Sequence, residues 1–418
     1  MSPNAIKVLY RLHKAGYKAY LVGGGVRDLL LGLAPKDFDI ATNATPEQIK
    51  RLFRNCRLVG RRFRLAHILF GREVIEVATL RGHHSDGDNK TAKANNSGRL
   101  LRDNVYGTID QDAERRDFTV NALYYDISDF SVRSYGGGLK DLQSRTLRLI
   151  GDPEQRYKED PVRMLRAVRF ATKLGMTIDA ATLAPIKKLS PLLSDIPAAR
   201  LHEEVLKLFF HGHANSNLDM LHQLGLFKSL MPVIDGAIAE NKNHITARMT
   251  YKVMQATDDR INADKSVTTA FFYAALFWYP LTRRAEDISN ESGLSRYDAY
   301  LAAMGDVLEQ QCRCVAVPRR HTALTKDIWQ LQLRLERSTN GRAFKLFELP
   351  KFRAAYDLLL MRAELEGERT QTLANWWREF VDGDENSRKA LIKRSDKGSK
   401  PRRRRPRRNT KPKLSKQG

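Results

Sequence analysis

The chain is poor in cysteine, with three in 418 residues: Cys56, Cys312 and Cys314. They cannot form a disulfide framework, and none has partner His or Cys residues at ligand spacing. A zinc module and a disulfide-stapled secreted fold are therefore excluded, and a reducing cytoplasm is the expected compartment. Long apolar runs are also missing, so no membrane span is expected. Residues 1–20 carry scattered Lys and Arg and no apolar block, which argues against a signal peptide. No internal repeat is visible, which excludes a solenoid. Acidic residues are outnumbered, 48 against 72 Lys and Arg.

What is present supports packed cores. The apolar fraction is 42%, and the length suggests two or three domains. The net charge of +24 is unevenly spread: residues 388–418 hold fifteen Lys and Arg and one acidic residue. Such an excess points to a polyanion, most often nucleic acid, while a solubilising tail is the plainer reading. The run Arg402, Arg403, Arg404, Arg405, Arg407 and Arg408 is the candidate RNA contact. It has no apolar residues to bury and should be disordered.

Along the chain, "PNAIKVLYRLHKAG" reads as a helix ended by Gly16, and "YKAYLVGG" as a strand. "VRDLLLG" is a short helix, and "DFDIAT" is strand-like. "TPEQIKRLFR" opens with Thr45 as N-cap, Pro46 at the first helical position and Gln48 in place for a capping box. "HILFGREVIEVATL" reads as a hairpin around Gly71, and 81–100 as a polar loop without period. "DPVRMLRAVRFATKLG" is helical, with Asp160 as cap, Pro161 at the first position and Gly175 past the end. Helical patterns then continue to about residue 380.

The chemistry concentrates in "LVGGGVRDLLLGLAPKDFDIAT", residues 21–42. In a strand, Asp37 and Asp39 would share a face. Two carboxylates that close repel unless cations lie between them, and oxygen ligands suit Mg²⁺. A solvated turn after Pro35 is the alternative. Gly23, Gly24 and Gly25 would let phosphates approach the backbone at a helix start, and Arg27 can add charge. The pattern is not G-x-G-x-x-G, because Asp28 occupies the last glycine's place, and no G-K-[ST] follows. Glu76 sits in an otherwise apolar strand, where a metal or another core partner would satisfy it. In "RRDFTVNALYYD", Arg116 could meet phosphate, and Asp117 could serve a metal, a ribose hydroxyl or a helix N-terminus. Asp160 and Arg163, three apart, share a helix face. As acceptor and donor they would admit A or C and refuse G and U; a cap plus a surface ion pair is the plain alternative.

Taken in order, "LVGGGVRDLLLG", "DFDIAT", "RRDFTVNALYYD", "GGLKDLQSRTLRLIGDP" and "RYKEDPVRMLRAVRF" resemble the class II nucleotidyltransferase family. That family has a head like that of DNA polymerase β and holds bacterial poly(A) polymerases and CCA-adding tRNA nucleotidyltransferases. The likeness is close over residues 18–175, and "FRNCRLVGRRFRLAHILFG" is similar to the poly(A) polymerase branch.

The resemblance implies an α+β fold: a nucleotidyltransferase head with a small mixed sheet at 1–145, a helical neck at 146–212, a helical RNA-binding body at 213–380, and a disordered Arg/Lys-rich tail at 381–418. Asp37 and Asp39 would bind metal and Asp117 would complete the catalytic set, with Glu76 the other candidate for the third metal carboxylate. Gly23, Gly24 and Arg27 would hold the triphosphate, and Arg116 and Asn121 would lie by the incoming nucleotide. Asp160 and Arg163 would face its base, with Arg166 in the same nucleotide-binding set. The implied reaction is template-independent transfer of AMP from ATP to RNA 3′ ends, promoting RNA processing and decay. Two Mg²⁺ would assist, and Mn²⁺ could substitute. RNA 3′ ends, ATP and the RNA-degradation machinery are the expected partners, without a membrane span. Two rival readings are CCA addition to tRNA and a non-catalytic RNA-binding adaptor.

Overall fold

The computed structural model describes residues 1–60, 64–82 and 105–398. The loop expected at 81–100 lies almost wholly outside the described residues, and so do Arg402–Arg408.

The N-terminal helix α1 (Pro3–Lys14) follows the pattern predicted for it. Ser2 caps it, and Gly16 turns the chain with φ +85°. Its apolar stripe, Ala5, Val8, Leu9 and Leu12, is buried against the sheet behind it. The next strands are β1 (Ala19–Val22) and β2 (Asp39–Thr42), with α2 (Gly24–Leu30) between them. Helix α3 (Pro46–Leu52) carries the capping box in full: Gln48 N–H donates to the Thr45 hydroxyl, and Thr45 N–H donates to Gln48 Oε1. β3 (Cys56–Val59), β4 (Leu65–Phe70) and β5 (Glu73–Thr79) follow, and β4 and β5 form the hairpin expected at Gly71. After α4 (Ile109–Glu114) come β6 (Leu123–Asp126), β7 (Val132–Ser134) and α5 (Gly138–Gln143).

These seven strands form one mixed sheet in the order β3-β4-β5-β2-β1-β6-β7. Only β2 and β5 run parallel; every other pair in it is antiparallel. β1, read from "AYLV", is buried along its whole length at the centre. Tyr20 meets Tyr124 edge to face across the β1–β6 pair. Helices α6 (Pro153–Glu159) and α7 (Val162–Leu174) come next, and Gly175 closes α7 in the left-handed region. α7 begins one residue later than its Pro-first pattern predicted. Pro161 stands before it, and Asp160 ends α6 while also accepting from Val162 N–H.

The described chain divides into two compact units. One holds residues 1–235 with 257–264 and 311–316; the other holds 236–256, 265–310 and the chain from 317. The second unit is helical around three fully buried tryptophans, Trp278, Trp329 and Trp377. Their indoles are satisfied where they must be: Trp329 donates to the Ala274 carbonyl at 2.8 Å and Trp377 to the Leu335 carbonyl at 3.2 Å. A helix at Glu385–Gly398 lies inside the stretch expected to be disordered from 381. The reason is local, since Leu391 and Ile392 are buried and anchor a segment that composition alone made look like tail. Among the described residues no helix is long and apolar enough to cross a membrane.

Thr119–Asn121 form a single 3₁₀ turn, packed on α5. A Cβ at Gly138 would stand 2.3 Å from the Thr119 carbonyl oxygen. Gly138→Ala is therefore expected to destabilise the protein by about 1–3 kcal/mol, read as a lowered thermal midpoint. An unchanged midpoint would show that this close approach relaxes freely.

Candidate active site

The acidic residues lie where the parallel pair meets. Register sets Asp39 opposite Val22 of β1 on one side and Glu76 of β5 on the other. Asp37 falls two residues before β2 rather than inside it, yet both aspartates line one cleft of about 290 Å³. Asp39 opens to solvent there and is crowded by protein elsewhere. Burial, then Glu76 and Asp37, push its carboxyl up to about 6 against the opposing pull of Arg116. That crowding is the condition a bound cation relieves.

Glu76 differs from its sequence reading. Its side chain is 46% exposed, and it meets His67 Nε2 at 3.3 Å across the β4–β5 ladder. Among the described residues no three of His, Cys, Asp and Glu converge closely enough to hold an ion by themselves. The carboxylates that could contribute to holding an ion are Asp37 and Asp39 in the cleft, with Glu76 paired to Asp39 in the sheet register. Phosphate oxygens and water would complete a hard cation's shell, as they commonly do for magnesium.

The same cleft is also lined by cations, a feature the sequence reading missed. Lys36, Arg169, Lys173, Lys207, His211 and His213 line it. Burial holds Lys173 below its ordinary value, and Arg27, Arg169 and Lys36 add to the depression against Asp28. His211 is lowered by burial and then by Lys36, Arg169 and Lys173. Among the described residues Arg169 Nε has no hydrogen-bond partner, and the Glu204 carboxylate lies 3.7 Å away. Desolvated cations that repel one another favour an anion among them. A signal existed: Arg166, Arg169 and Lys173 recur at helical spacing along α7. The contribution from 207–213 comes from a separate helix end and had none.

Behind the cleft runs a chain of hydrogen bonds. Arg27 is buried and donates through Nε to Asp28 at 2.8 Å and through Nη1 to Asn121 Oδ1 at 2.5 Å. Asn121 Nδ2 donates to Asp117 Oδ1 at 3.0 Å, which also accepts Phe118 N–H. Asp117 Oδ2 accepts Arg166 Nε at 2.7 Å. Burial raises the Asp117 carboxyl, but Arg166, Asn121 and the Phe118 N–H together outweigh it and hold the group low. Arg116 donates to the Tyr124 hydroxyl at 2.7 Å, to Asp112 at 3.3 Å and to the Asn121 carbonyl at 3.2 Å. Gly23 makes this possible. It adopts φ +66°, and a Cβ there would come within 2.9 Å of Arg116 Nη1.

The structure therefore brings Gly24, Arg27, Asp37 and Asp39 to the cleft, and Arg116, Asp117, Asn121 and Arg166 to the network beside it. Asp160 and Arg163 are not among the cleft residues. Asp160 accepts Arg200 Nη2 at 2.7 Å, and Arg163 donates to the Arg156 carbonyl at 2.7 Å and to Glu159 at 3.0 Å.

Comparison with known proteins places this geometry. Residues 19–148 match the family model "Poly A polymerase head domain", 175–238 match "Probable RNA and SrmB- binding site of polymerase A", and 292–409 match "Polymerase A arginine-rich C-terminus". Poly(A) polymerase I of Salmonella typhimurium is 56% identical over 97% of this chain and 88% of its own length. That of Haemophilus influenzae is 52% identical over 94% and 87%. In fold, the chain is similar to the Bacillus stearothermophilus CCA-adding enzyme solved with CTP, with TM-score 0.57 and 24% identity, covering 91% of this chain and 83% of that one.

The raised Asp39 carboxyl has a signed consequence. Its ionised form opposes folding, so stability is lost as pH rises from its ordinary value near 4 through about 6. Asp39→Asn is expected to stabilise the metal-free protein at pH 8 by on the order of 1 kcal/mol, a figure kept small because the carboxylate also sees solvent. The gain should vanish by about pH 4. Thermal melts in chelator across that range check both; an equal gain at pH 4 would exclude the electrostatic origin.

Proposed function

The chain belongs to the poly(A) polymerase I family of template-independent nucleotidyltransferases, and we propose that its cleft is where AMP passes from ATP to the 3′-hydroxyl of RNA. One observation carries the assignment of the site. The paired aspartates share a single cleft with the cations Lys36, Arg169 and Lys173, the last two of them held low by burial. A triphosphate with its counter-ions needs both: carboxylates for cations, and cations for phosphate oxygens.

In this reading Asp37 and Asp39, with Glu76 alongside, hold the divalent ions. Bound there, two Mg²⁺, or Mn²⁺ in their place, would supply the positive charge that eases deprotonation of the attacking hydroxyl and offsets the charge of departing pyrophosphate. The chain's own residues do the rest. Gly23 and Gly24 keep the backbone open to the phosphates. Lys36, Arg169 and Lys173 bind and orient them, which aligns the α-phosphorus for attack. Arg27 shapes this lining, since its donors are already engaged by Asp28 and Asn121.

Asp117 acts from behind the cleft. Holding Asn121 and Arg166 in place, it serves as the positioning member of the catalytic set. Arg116 fixes the 3₁₀ turn through the Asn121 carbonyl. For the base we retain Asp160 and Arg163. Their partners Arg200 and Glu159 form part-exposed ion pairs worth about 0–1 kcal/mol each, which an incoming base can replace. The same division of labour motivates a functional partition into head to 145, neck 146–212 and body 213–380. RNA 3′ ends and ATP are the partners in this reading, with the RNA-degradation machinery beyond them. The three cysteines form no disulfide, in keeping with a cytoplasmic setting.

Labelled RNA incubated with a divalent ion and each nucleotide separately gives the direct test. A long ladder with ATP alone is expected; addition of only three bases, and only with CTP and ATP together, would overturn the assignment. Asp39→Ala should abolish extension while leaving RNA affinity near wild type. Normal tailing by that variant would remove Asp39 from the metal site.

A further inference from the structure

The second unit carries a basic hollow of about 370 Å³, the size range of ligand sites, that the reading above does not use. Arg334, Arg337, Arg342 and Lys345 line it together with Tyr297. Three segments build it: the start of the helix Arg296–Cys314, the end of Arg319–Leu335, and the helix Arg342–Phe347.

Several cations of this unit are paired: Arg284 with Asp306, Arg353 with Asp357, Arg394 with Glu379. Here none of the four has an ion pair among the described residues. The only acidic residue between 333 and 346 is Glu336, and it is engaged on both oxygens, by Arg362 at 3.3 Å and by Arg296 at 3.3 Å. These four positive charges are exposed, and the one carboxylate within the stretch is already taken. Tyr297 is 43% exposed at their edge, although a tyrosine ring gains from cover. An exposed ring beside unopposed cations matches what an unpaired nucleotide offers: a phosphate for the charges and a flat face for the ring.

Resting on the RNA-extending reading, we propose that Arg334, Arg337, Arg342, Lys345 and Tyr297 form a seat for single-stranded RNA, the cations taking successive phosphates and Tyr297 stacking one base. An acidic protein surface would use the charges but would not need the ring. A stacked strand needs both, and the two contributions differ in their response to salt.

The test uses the full-length chain and a labelled oligoadenylate, with binding followed by anisotropy over a salt series without ATP. The double variant Arg337→Glu/Arg342→Glu is expected to weaken binding about tenfold or more. It should also flatten the slope of log affinity against log salt by about 1.4, the loss of two phosphate contacts on a single strand. Tyr297→Ala should weaken binding at least about fivefold with the slope unchanged, and Tyr297→Phe should restore it. In turnover, KM for RNA rises in the charge variant while KM for ATP does not move. Equal affinity and slope in the charge variant would overturn the seat. So would a Tyr297→Ala protein that binds like wild type, since charge alone would then be at work. A wild-type chain that binds the oligonucleotide but never extends it would sink the catalytic reading and leave the seat standing.

Discussion

The cleft depends on one buried run of charge and amide: Asp28, Arg27, Asn121, Asp117 and Arg166. It ties α2, the 3₁₀ turn and α7 together, three pieces far apart in sequence. Each buried polar atom in it is answered by another, which is what makes its burial tolerable. Removing one member would strand its neighbour without solvent, a change that typically costs about 3–5 kcal/mol. Three guanidinium groups, those of Arg27, Arg166 and Arg169, also stand 4.6–5.4 Å from the Phe170 ring centre, so one buried aromatic ring gathers cations from both α2 and α7.

The legible parts of the molecule were local ones. Thr45 and Gln48 announce a helix start because the capping bonds span only three residues. Gly71 announces a hairpin because the flanking apolar runs alternate on either side of it. Asp37 and Asp39 were found because a strand's two-residue period needs no tertiary information. The family resemblance then placed the other motifs in order along the head.

What stayed hidden was made by packing. Lys173 comes from one helix, Lys207 from another and His211 from the bend after it, and nothing in either segment says that they meet. Asp117 is a residue the sequence could name but not orient; only the fold shows both its oxygens engaged by Asn121, the Phe118 N–H and Arg166. Glu76 was expected to be buried because its strand is apolar, yet its side chain stands half open on a face of the sheet beside His67. The helix at 385–398 was concealed by composition, since two buried residues suffice to hold it among many charges. The hollow at Tyr297 shows the converse: its charges were visible in sequence, but that they go unanswered depends on which way Glu336 faces.

The parallel pairing of β2 with β5, the one such pair in the seven-stranded sheet, has a bearing on how this head can vary through evolution. A parallel neighbour must be reached by a crossover, here the segment containing α3, β3 and β4. Insertions at the Gly71 bend lengthen that detour without shifting the frame in which Asp39 faces Glu76. A single-residue indel between 73 and 76 would flip alternate side chains to the opposite face of the sheet and carry the glutamate away from its partner. Drift in this lineage should therefore accumulate in the bend and spare the few residues that follow it.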